Sequence, residues 1–377
     1  MKNQLLMTPG PTYVSEEVRM AMAKSITNPD FDTNFYDFYK ETCNKIKKII
    51  NTENDVLVLA GEGILGLEAA CASLIERDDK VLCIDNGIFG KGFGDFAKLY
   101  GGDVTYFSGD YTKEIDVDKL ELFLQENHDF QVATLVHCET PSGITNPIDK
   151  ICPLLNKYGI ISIVDAVSSM GGETVQVDKW KIDIILGGSQ KCLSAPPGLT
   201  LLGISDKAWD KILNRDNPIS SFYCNLSLWK NWYEDKWFPY TQSISDIYAL
   251  DEAVNRVLDD ENMILRHSKI AKGVRKAIQE AGLKLYPMSG FSNTVTTICI
   301  PLGVNSESIL NDMVEDHHIM ISGAFDFLKD KVIRIGHMGE NCYEDKLYMT
   351  LKALDAVLRK YNVNLKCKMH EVFIKVI

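Results

Sequence analysis

The sequence lacks the features of three classes of protein: those held by metal sites or disulfides, those that enter membranes or are secreted, and those that bind nucleic acid. Its ten cysteines are scattered singly, with no Cys-x-x-Cys pair, so the sequence predicts neither a metal site nor a disulfide framework, and we expect most thiols to be buried. No apolar run approaches the length of a membrane span, and the apolar stretch at the N-terminus is too short for a signal peptide. Basic residues number 40 against 52 acidic ones, and the net charge of -12 gives no field that attracts nucleic acid or an anionic membrane.

The composition that remains is that of an ordinary folded protein. At 377 residues, with 45% hydrophobic and 24% charged residues, the chain is long enough for two domains around a sizeable core. We therefore expect a cytoplasmic protein whose partners are small molecules, with no nucleic-acid and no membrane partner.

Short apolar runs alternate with amphipathic stretches through the first two thirds of the chain. Helix candidates at 64–76, 90–101 and 149–159 lie between runs that have the composition of buried strands. Such alternation is typical of βαβ units, and it predicts an α/β domain with a mostly parallel seven-stranded sheet covered on both faces. The seven candidate strands are 55–60, 80–85, 103–108, 132–137, 160–165, 182–187 and 199–204.

The pattern changes from about residue 256, where helices and strands predict a smaller α+β domain. The candidate elements are helices at 261–281, 305–316 and 343–360 and strands at 292–300 and 332–337. We divide the chain into an N-terminal arm near the active site, residues 1–15, a large domain, 16–255, and a small domain, 256–377. The tail after residue 360 has the composition of an extra strand or an ordered arm.

One motif taken alone favours a dinucleotide-binding protein. Residues 61–66, GEGILG, match G-x-G-x-x-G between a predicted strand and a predicted helix, and Asp85 ends the next strand 19 residues after Gly66. Against an NAD site, some 50 residues precede the motif, whereas the fingerprint usually follows the first strand of its domain. The motif is equally consistent with another phosphate seat at a helix N-terminus, or with a turn that binds nothing.

A lysine and an aspartate are predicted to meet at one edge of the sheet. Asp165 ends a buried strand, and Lys191 follows the end of the next strand, 26 residues later. Parallel strands bring both side chains to the edge where such folds bind ligands. Lys191 could be a salt-bridge partner only, but a lysine in a desolvated crevice is also the nucleophile of Schiff-base chemistry. An aspartate at the pyridine nitrogen and a lysine at the aldehyde are what pyridoxal 5'-phosphate needs.

At these residues the sequence resembles the class V aminotransferases of fold type I, which depend on pyridoxal phosphate, and especially the alanine/serine–glyoxylate group. The resemblance extends through nearly the whole chain and rests on seven separated motifs in order. They are TPGPT 8–12, GEGILGLEAA 61–70, DNGIFG 85–90, HCETPSGITNPI 137–148, VDAVSSMGG 164–172, GGSQKCLSAPPG 187–198 and RIGHMGE 334–340.

The resemblance implies a role for each of several residues around the cofactor ring. Lys191 would form the covalent link to the cofactor, and Asp165 would pair with the ring nitrogen. Phe89 would stack on one ring face, Val167 would lie under the other, and Thr140 would hydrogen-bond near the ring hydroxyl. From the residues alone, Phe89 and Val167 could equally be core residues, and Thr140 a turn residue before a proline.

The resemblance also implies how the phosphate and the substrate are bound. Gly63, Ile64 and Gln190 would hold the phosphate, and Thr241 would be contributed by the partner subunit of a homodimer. Arg334 would clamp the substrate carboxylate, since the guanidinium fork suits that group. Thr241 could otherwise be a helix cap, and Arg334 could lie on an exposed strand.

The sequence departs from relatives at three places. Ile64 stands where some members have a histidine, and Phe238 stands where some have a phosphate-binding tyrosine. Residues 27–31, TNPDF, replace a segment that in some members contains histidine and arginine near the substrate mouth. Because neither Ile64 nor Phe238 has a side-chain group that hydrogen-bonds, phosphate affinity would depend more on backbone N–H groups.

The predicted function is transfer of an amino group from a small amino acid, alanine or serine, to a small 2-oxo acid, glyoxylate or pyruvate. A 2-aminoethylphosphonate–pyruvate aminotransferase is the first alternative, and it would need a second cationic group. A cysteine desulfurase or lyase of the same fold would need a nucleophilic cysteine and typically a histidine before the lysine, where this chain has Gln190. An NAD-dependent dehydrogenase is the alternative that GEGILG suggests.

Overall fold

The computed structural model describes residues 4–377, so the first three residues of the predicted arm lie outside the described part of the chain. Its strands follow one another as β1 (Leu5–Leu6), β2 (Asp55–Ala60), β3 (Lys80–Asp85), β4 (Asp103–Ser108), β5 (Val132–Val136), β6 (Cys138–Glu139), β7 (Ile144–Thr145), β8 (Ile161–Asp165), β9 (Ile184–Gly188), β10 (Leu199–Ile204), β11 (Val295–Cys299), β12 (Ile319–Met320) and β13 (Val332–Gly336).

A seven-stranded sheet in the order β2-β10-β9-β8-β5-β3-β4 forms the centre of the molecule. Strands β9, β8, β5, β3 and β4 are parallel, whereas β10 runs antiparallel to both of its neighbours. These seven strands coincide with the seven apolar runs, and the predicted α/β fold with a mostly parallel sheet is confirmed. Strands β5, β8, β9 and β10 are buried along their whole length because helices cover both faces, which is why their sequences are continuous apolar runs.

The helices are α1 (Glu16–Ala21), α2 (Thr33–Ile50), α3 (Gly63–Leu74), α4 (Ile88–Leu99), α5 (Val117–Glu126), α6 (Ile148–Lys157), α7 (Asp206–Leu213), α8 (Ile244–Asp259), α9 (Met263–Glu280), α10 (Ser306–Glu315), α11 (Glu344–Lys360) and α12 (Met369–Val376). Helix α3 packs on β9 and β10, and α4 packs on β3 and β5. The α3 contact is close, because a Cβ placed on Gly66 would lie 2.4 Å from Oγ1 of Thr200 on β10.

Two apolar clusters account for most of the core. The larger one surrounds the seven-stranded sheet. The smaller one joins α9, α10, α11 and α12 to the β11–β13 pair and includes Met7 from the N-terminal segment. Two clusters are compatible with two domains, but the boundary at residues 255 and 256 stays a prediction, and α8 runs across it.

Of the two expectations for the tail after residue 360, an extra strand or an ordered arm, the strand is wrong, because the tail contains α12. Met369, Val372 and Phe373 are buried at helical spacing, and the helix packs against α9 and α11. His370 Nδ1 lies 2.7 Å from Oδ2 of Asp355 on α11, which fixes the start of the helix. The β-branched and aromatic residues of the tail suggested a strand, but tertiary packing outweighs that local preference.

The N-terminal segment crosses between the two clusters. Strand β1 pairs in parallel with β12, with Leu5 opposite Ile319, and the Met7 carbonyl accepts a 2.8 Å hydrogen bond from the Gly336 N–H. The next residues of the segment reach the end of β9. Among the helices of residues 4–377, none combines the length and the apolar character needed to cross a membrane.

Candidate active site

Asp165 is the last residue of β8, at the carboxyl edge of the sheet. Its Oδ1 accepts a 2.8 Å hydrogen bond from the Val167 N–H, which fixes the carboxylate over the following turn. Burial raises the pKa of Asp165 to about 6, while that hydrogen bond and the nearby Lys191 charge act in the opposite direction. Asp165 is therefore a buried carboxyl group whose charged form would be stabilised by a cation beside it.

Lys191 lies three residues beyond the end of β9, on the strand next to Asp165 in the sheet. Burial lowers its pKa, and the positive charge of Arg334 acts in the same direction, whereas the Asp165 carboxylate opposes both. A lowered pKa increases the fraction of neutral amine near pH 7, and the neutral amine is the nucleophilic form.

The TPGPT segment closes over Lys191. The amine of Lys191 donates a 2.6 Å hydrogen bond to the Pro9 carbonyl, and Thr12 Oγ1 donates to the Lys191 carbonyl at 3.0 Å. Gly10 has a φ of +92°, and a Cβ on it would lie 2.5 Å from Cδ of Lys191 and 2.8 Å from its Nζ. Only glycine fits between this turn and the lysine.

Arg334 enters the same crevice from β13. Its Nε donates to the Gly323 carbonyl at 2.7 Å, and its Nη1 donates to the Thr140 carbonyl at 3.4 Å. The residue is only 8% exposed, which excludes the exposed-strand alternative, and burial lowers its pKa to about 10. No carboxylate of residues 4–377 lies within ion-pair distance of it. A buried guanidinium without an acidic partner is suited to bind an anion.

Phe89, Val167 and Thr140 lie on three different segments around the crevice. Phe89 is in the first turn of α4, and its ring centroid is 5.9 Å from that of Phe325, a half-exposed residue. Val167 packs against the start of α3, where a Cβ on Gly63 would lie 2.6 Å from Val167 Cγ2. Thr140 is buried, and its Oγ1 lies 2.5 Å from Oγ of Ser168.

Gly63 and Ile64 begin α3, and Gln190 faces the residue before them, so the phosphate assignment of these three residues stays a prediction. The N-terminus of α3 also carries a residue that this assignment did not include. Glu62 is the N-cap of α3, and its Oε1 accepts a 3.2 Å hydrogen bond from the Ile64 N–H. Its Oε2 lies 3.5 Å from Nε2 of Gln190.

Thr241 and Phe238 lie on the segment that precedes α8. Thr241 is exposed before α8, and no hydrogen bond within residues 4–377 joins it to Lys191, Gln190 or α3, so its role stays a prediction that requires a partner subunit. Phe238 is buried in an aromatic cluster and stacks on Tyr36 with ring centroids 4.6 Å apart. The aromatic ring at 238 is therefore part of the core.

Sequence reasoning missed Glu139, which is fully buried between β5 and α4. Its carboxylate accepts hydrogen bonds from the N–H groups of Phe89, at 3.2 Å, and Gly90, at 2.5 Å. Burial raises the pKa of Glu139 to about 8, although both hydrogen bonds oppose the shift. Glu139 caps α4 from another segment because Gly87, the N-cap, has no side chain to do so. The acid immediately before Thr140 in the quoted HCETPSG motif was the available signal.

The residues around Lys191 fit the ring of pyridoxal phosphate. They provide an amine with a lowered pKa, a buried carboxylate for the ring nitrogen, and an aromatic and a branched side chain for the ring faces. Because Gly10 has no side chain, the TPGPT turn leaves room beside Lys191. The phosphate fits less well at the N-terminus of α3, because the Glu62 carboxylate already accepts a hydrogen bond there.

Residues 8–359 match the protein-family model described as Aminotransferase class-V. An uncharacterized aminotransferase of Methanocaldococcus jannaschii is 36% identical, over 96% of this chain and 94% of that protein. The pyridoxamine–pyruvate transaminase of Mesorhizobium japonicum is 35% identical, over 94% and 91%. The crystal structure of a ureidoglycine–glyoxylate aminotransferase from Bacillus subtilis has a TM-score of 0.96 and 30% identity, and the match covers 100% of this chain and 98% of that one.

Proposed function

This chain belongs to the class-V aminotransferases, a pyridoxal-phosphate-dependent family, and on that premise we propose that it moves an amino group from alanine or serine to glyoxylate or pyruvate. The observation that carries the proposal is the buried Arg334 guanidinium, which has no carboxylate partner and whose charge reaches Lys191. Amino acids and 2-oxo acids share the carboxylate that such a group would bind. The names of the similar transaminases pair their donors with pyruvate or glyoxylate, which supports a small 2-oxo acid as acceptor.

Lys191 is the proposed proton carrier as well as the covalent anchor. When bound, the cofactor supplies an electron sink for the bond that breaks at the substrate α-carbon. The neutral Lys191 Nζ would take the proton from the substrate α-carbon and hold it until it is returned. The Pro9 carbonyl, 2.6 Å from Nζ, supports the charged form that carries the proton in between.

Asp165 has the proposed role of keeping the pyridine nitrogen protonated. With a pKa of about 6, its carboxylate is mostly ionised near pH 7, and a cation beside it lowers that pKa further. The Val167 N–H holds the carboxylate in place, and the Val167 side chain supports one face of the ring. Phe89 is proposed for the other face and Thr140 for the ring hydroxyl.

Arg334 is the proposed clamp for the carboxylate in both half-reactions. Its hydrogen bonds to the Gly323 and Thr140 carbonyls hold the guanidinium in one orientation, so that little side-chain entropy is lost when the substrate binds. A fixed clamp also aligns the α-carbon with the Lys191 amine.

We extend the proposal to a cytoplasmic homodimer in which Thr241 reaches the partner's site. Three exposed aromatic residues, Phe222, Tyr223 and Trp237, lie in the segment that precedes Thr241. The Tyr223 ring stacks on Tyr240 with centroids 4.5 Å apart. An exposed aromatic surface of this kind supports an interface with a second subunit.

A desulfurase role is not favoured by the cysteines. Eight of the ten are buried, and burial raises the pKa of Cys192, the one beside Lys191, well above its usual range. A reactive thiol would need the opposite shift.

Single-turnover absorbance measurements with alanine, serine and 2-aminoethylphosphonate as donors test the proposal. Rapid loss of the cofactor absorbance with alanine or serine, and its recovery with glyoxylate or pyruvate, is the expected result. Reaction with the aminophosphonate alone would establish the phosphonate alternative instead.

A further inference from the structure

The N-terminus of α3 already holds a carboxylate where the predicted seat would hold a phosphate. Glu62 caps the helix and accepts the hydrogen bond of the Ile64 N–H, one of the donors assigned to the phosphate. We propose that this site accepts pyridoxamine, which has a hydroxymethyl group and no phosphate, as an amino donor, and that Glu62 sets the preference between the two forms. The proposal rests on the proposed aminotransferase function and names a further donor for it.

The electrostatics at α3 oppose a phosphate. Glu62 is exposed, and no lysine or arginine of residues 4–377 forms an ion pair with it, so that only solvent screens its charge. The Glu62 charge also acts, after burial, to raise the pKa of Asp165. A phosphate dianion at the same helix end would therefore meet a negative charge as well as the favourable helix dipole.

Gln190 provides a second and independent observation. It is only 8% exposed, and its Oε1 is buried without a hydrogen-bond partner in residues 4–377. Its Nε2 lies 3.5 Å from Glu62 Oε2, so the amide faces the same helix end. The amide orientation is consistent with this contact, because the reverse orientation would place two acceptors together.

The unpartnered oxygen distinguishes the two ligands by their hydrogen-bonding capacity. A buried acceptor without a donor is costly, and a ligand that supplies a donor removes the cost. A phosphate dianion has only acceptors, whereas the hydroxyl of pyridoxamine can donate to Gln190 Oε1 or to the Glu62 carboxylate. Both groups therefore favour the hydroxymethyl form.

The reaction balances without any further reagent. The aminomethyl carbon of pyridoxamine is oxidised to the aldehyde of pyridoxal, while the carbonyl carbon of the 2-oxo acid is reduced to the amine carbon of an amino acid. The nitrogen passes from the first molecule to the second. The carbonyl oxygen of the 2-oxo acid leaves as water when the imine forms, and a water molecule supplies the aldehyde oxygen when the imine is hydrolysed. Lys191 moves the proton between the two carbons, and Arg334 holds the carboxylate of the 2-oxo acid.

Equilibrium binding provides the first test. The purified protein, dialysed free of pyridoxal compounds, is titrated separately with pyridoxal and with pyridoxal phosphate, and binding is followed by absorbance. Glu62→Gln should strengthen binding of pyridoxal phosphate relative to pyridoxal by about ten-fold, since it removes the charge and keeps the shape. Glu68→Gln is the matched control, because it removes one charge from the same helix, where Glu68 bonds to Tyr100, and should leave the ratio unchanged.

Formation of pyridoxal provides the second test. Wild-type protein with pyridoxamine and pyruvate, and no phosphorylated cofactor, should release pyridoxal and alanine over many turnovers. If instead the wild type binds the phosphate form more than about a hundred-fold better and releases no pyridoxal, the inference is overturned. Because these measurements use the wild type, they decide the matter even if Glu62→Gln fails to fold.

Transamination with the phosphorylated cofactor separates this inference from the function on which it rests. Alanine–glyoxylate exchange by the loaded enzyme, together with no reaction of pyridoxamine, would contradict the role of Glu62 alone. Absence of transfer with every donor and with both cofactor forms would contradict the proposed function.

Discussion

The amine of Lys191 and the carbonyl of Pro9 are joined by a 2.6 Å hydrogen bond across 182 residues of sequence. The contact is possible because Gly10, the next residue, turns away with a positive φ and carries no Cβ. Lys191 is thus positioned by two segments, the end of β9 and the N-terminal TPGPT turn.

Gly10→Ala should disable the lysine without unfolding the protein. The added Cβ would lie 2.5 Å from Lys191 Cδ, and the side chain would have to move by the order of an ångström, which typically costs about a hundred-fold in rate. Borohydride trapping of the cofactor on Lys191 and steady-state turnover measure the effect. Gly92→Ala is the control, since nothing lies within 4 Å of its Cβ position; an equal loss in both variants would refute the steric explanation.

Asp165→Asn should reduce turnover far more than substrate binding. The amide cannot hold a proton on the pyridine nitrogen, and a loss of about 3 kcal/mol of stabilisation corresponds to roughly two decades in rate. Single-turnover kinetics give the rate and the dissociation constant separately. Unchanged turnover would assign Asp165 a structural role through its bond to the Val167 N–H.

Arg334→Ala should lower kcat/KM for the amino acid and for the 2-oxo acid alike. The loss of transition-state stabilisation should be roughly 2 to 4 kcal/mol for each substrate. One guanidinium serves both half-reactions, so the two losses should be similar. Lys331→Ala, which removes an exposed cation just before β13, is the matched control. A loss confined to one substrate would show that the other is held elsewhere.

Glu139 should make part of the folding stability depend on pH. Its pKa is raised from 4.5 to about 8 in the folded protein, so between these values the folded state binds more protons than the unfolded state. The contribution of Glu139 to the free energy of unfolding is therefore fully present below pH 4.5 and falls as the pH rises towards 8. The slope is at most about 1.4 kcal/mol per pH unit. Denaturant unfolding from pH 5 to 8.5 measures it, and Glu139→Gln should flatten the profile. A slope that persists in the variant would belong to other groups.

The chain should sediment as a dimer, at twice its mass of 42.4 kDa. If Thr241 serves the partner's site, Thr241→Ala should weaken cofactor binding while the dimer persists. Mixing Thr241→Ala with Lys191→Ala subunits should restore one intact site in each mixed dimer. A fully active monomer would remove the reason for this assignment.

The sequence predicted the sheet well because its strands are buried on both faces and read as uninterrupted apolar runs. Asp165 and Lys191 were also predictable, since parallel neighbouring strands end at one edge. The contact of Arg334 with the Thr140 carbonyl was not, because it joins segments 194 residues apart and no local pattern encodes it.

Glu62 and Glu139 show a different limit of the sequence. Each is an ordinary acidic residue in a motif that is recognised by its other residues, and each accepts hydrogen bonds from backbone N–H groups at a helix end. Glu62 caps its own helix, whereas Glu139 caps a helix some 50 residues earlier in the chain. A motif match identifies the loop, but the direction of a side chain depends on tertiary packing.

The pairing of the N-terminal segment with the last third of the chain has a consequence for biosynthesis. Leu5 opposes Ile319, and the Met7 carbonyl bonds to Gly336, so the turn at Pro9 has its supports only after residue 336 has been translated. The sheet can form earlier from its own strands, but such a nascent chain would have Lys191 without its acceptor. Positioning of Lys191 by the N-terminal turn therefore depends on contacts of very long sequence separation, which carry a large loop-closure cost in folding.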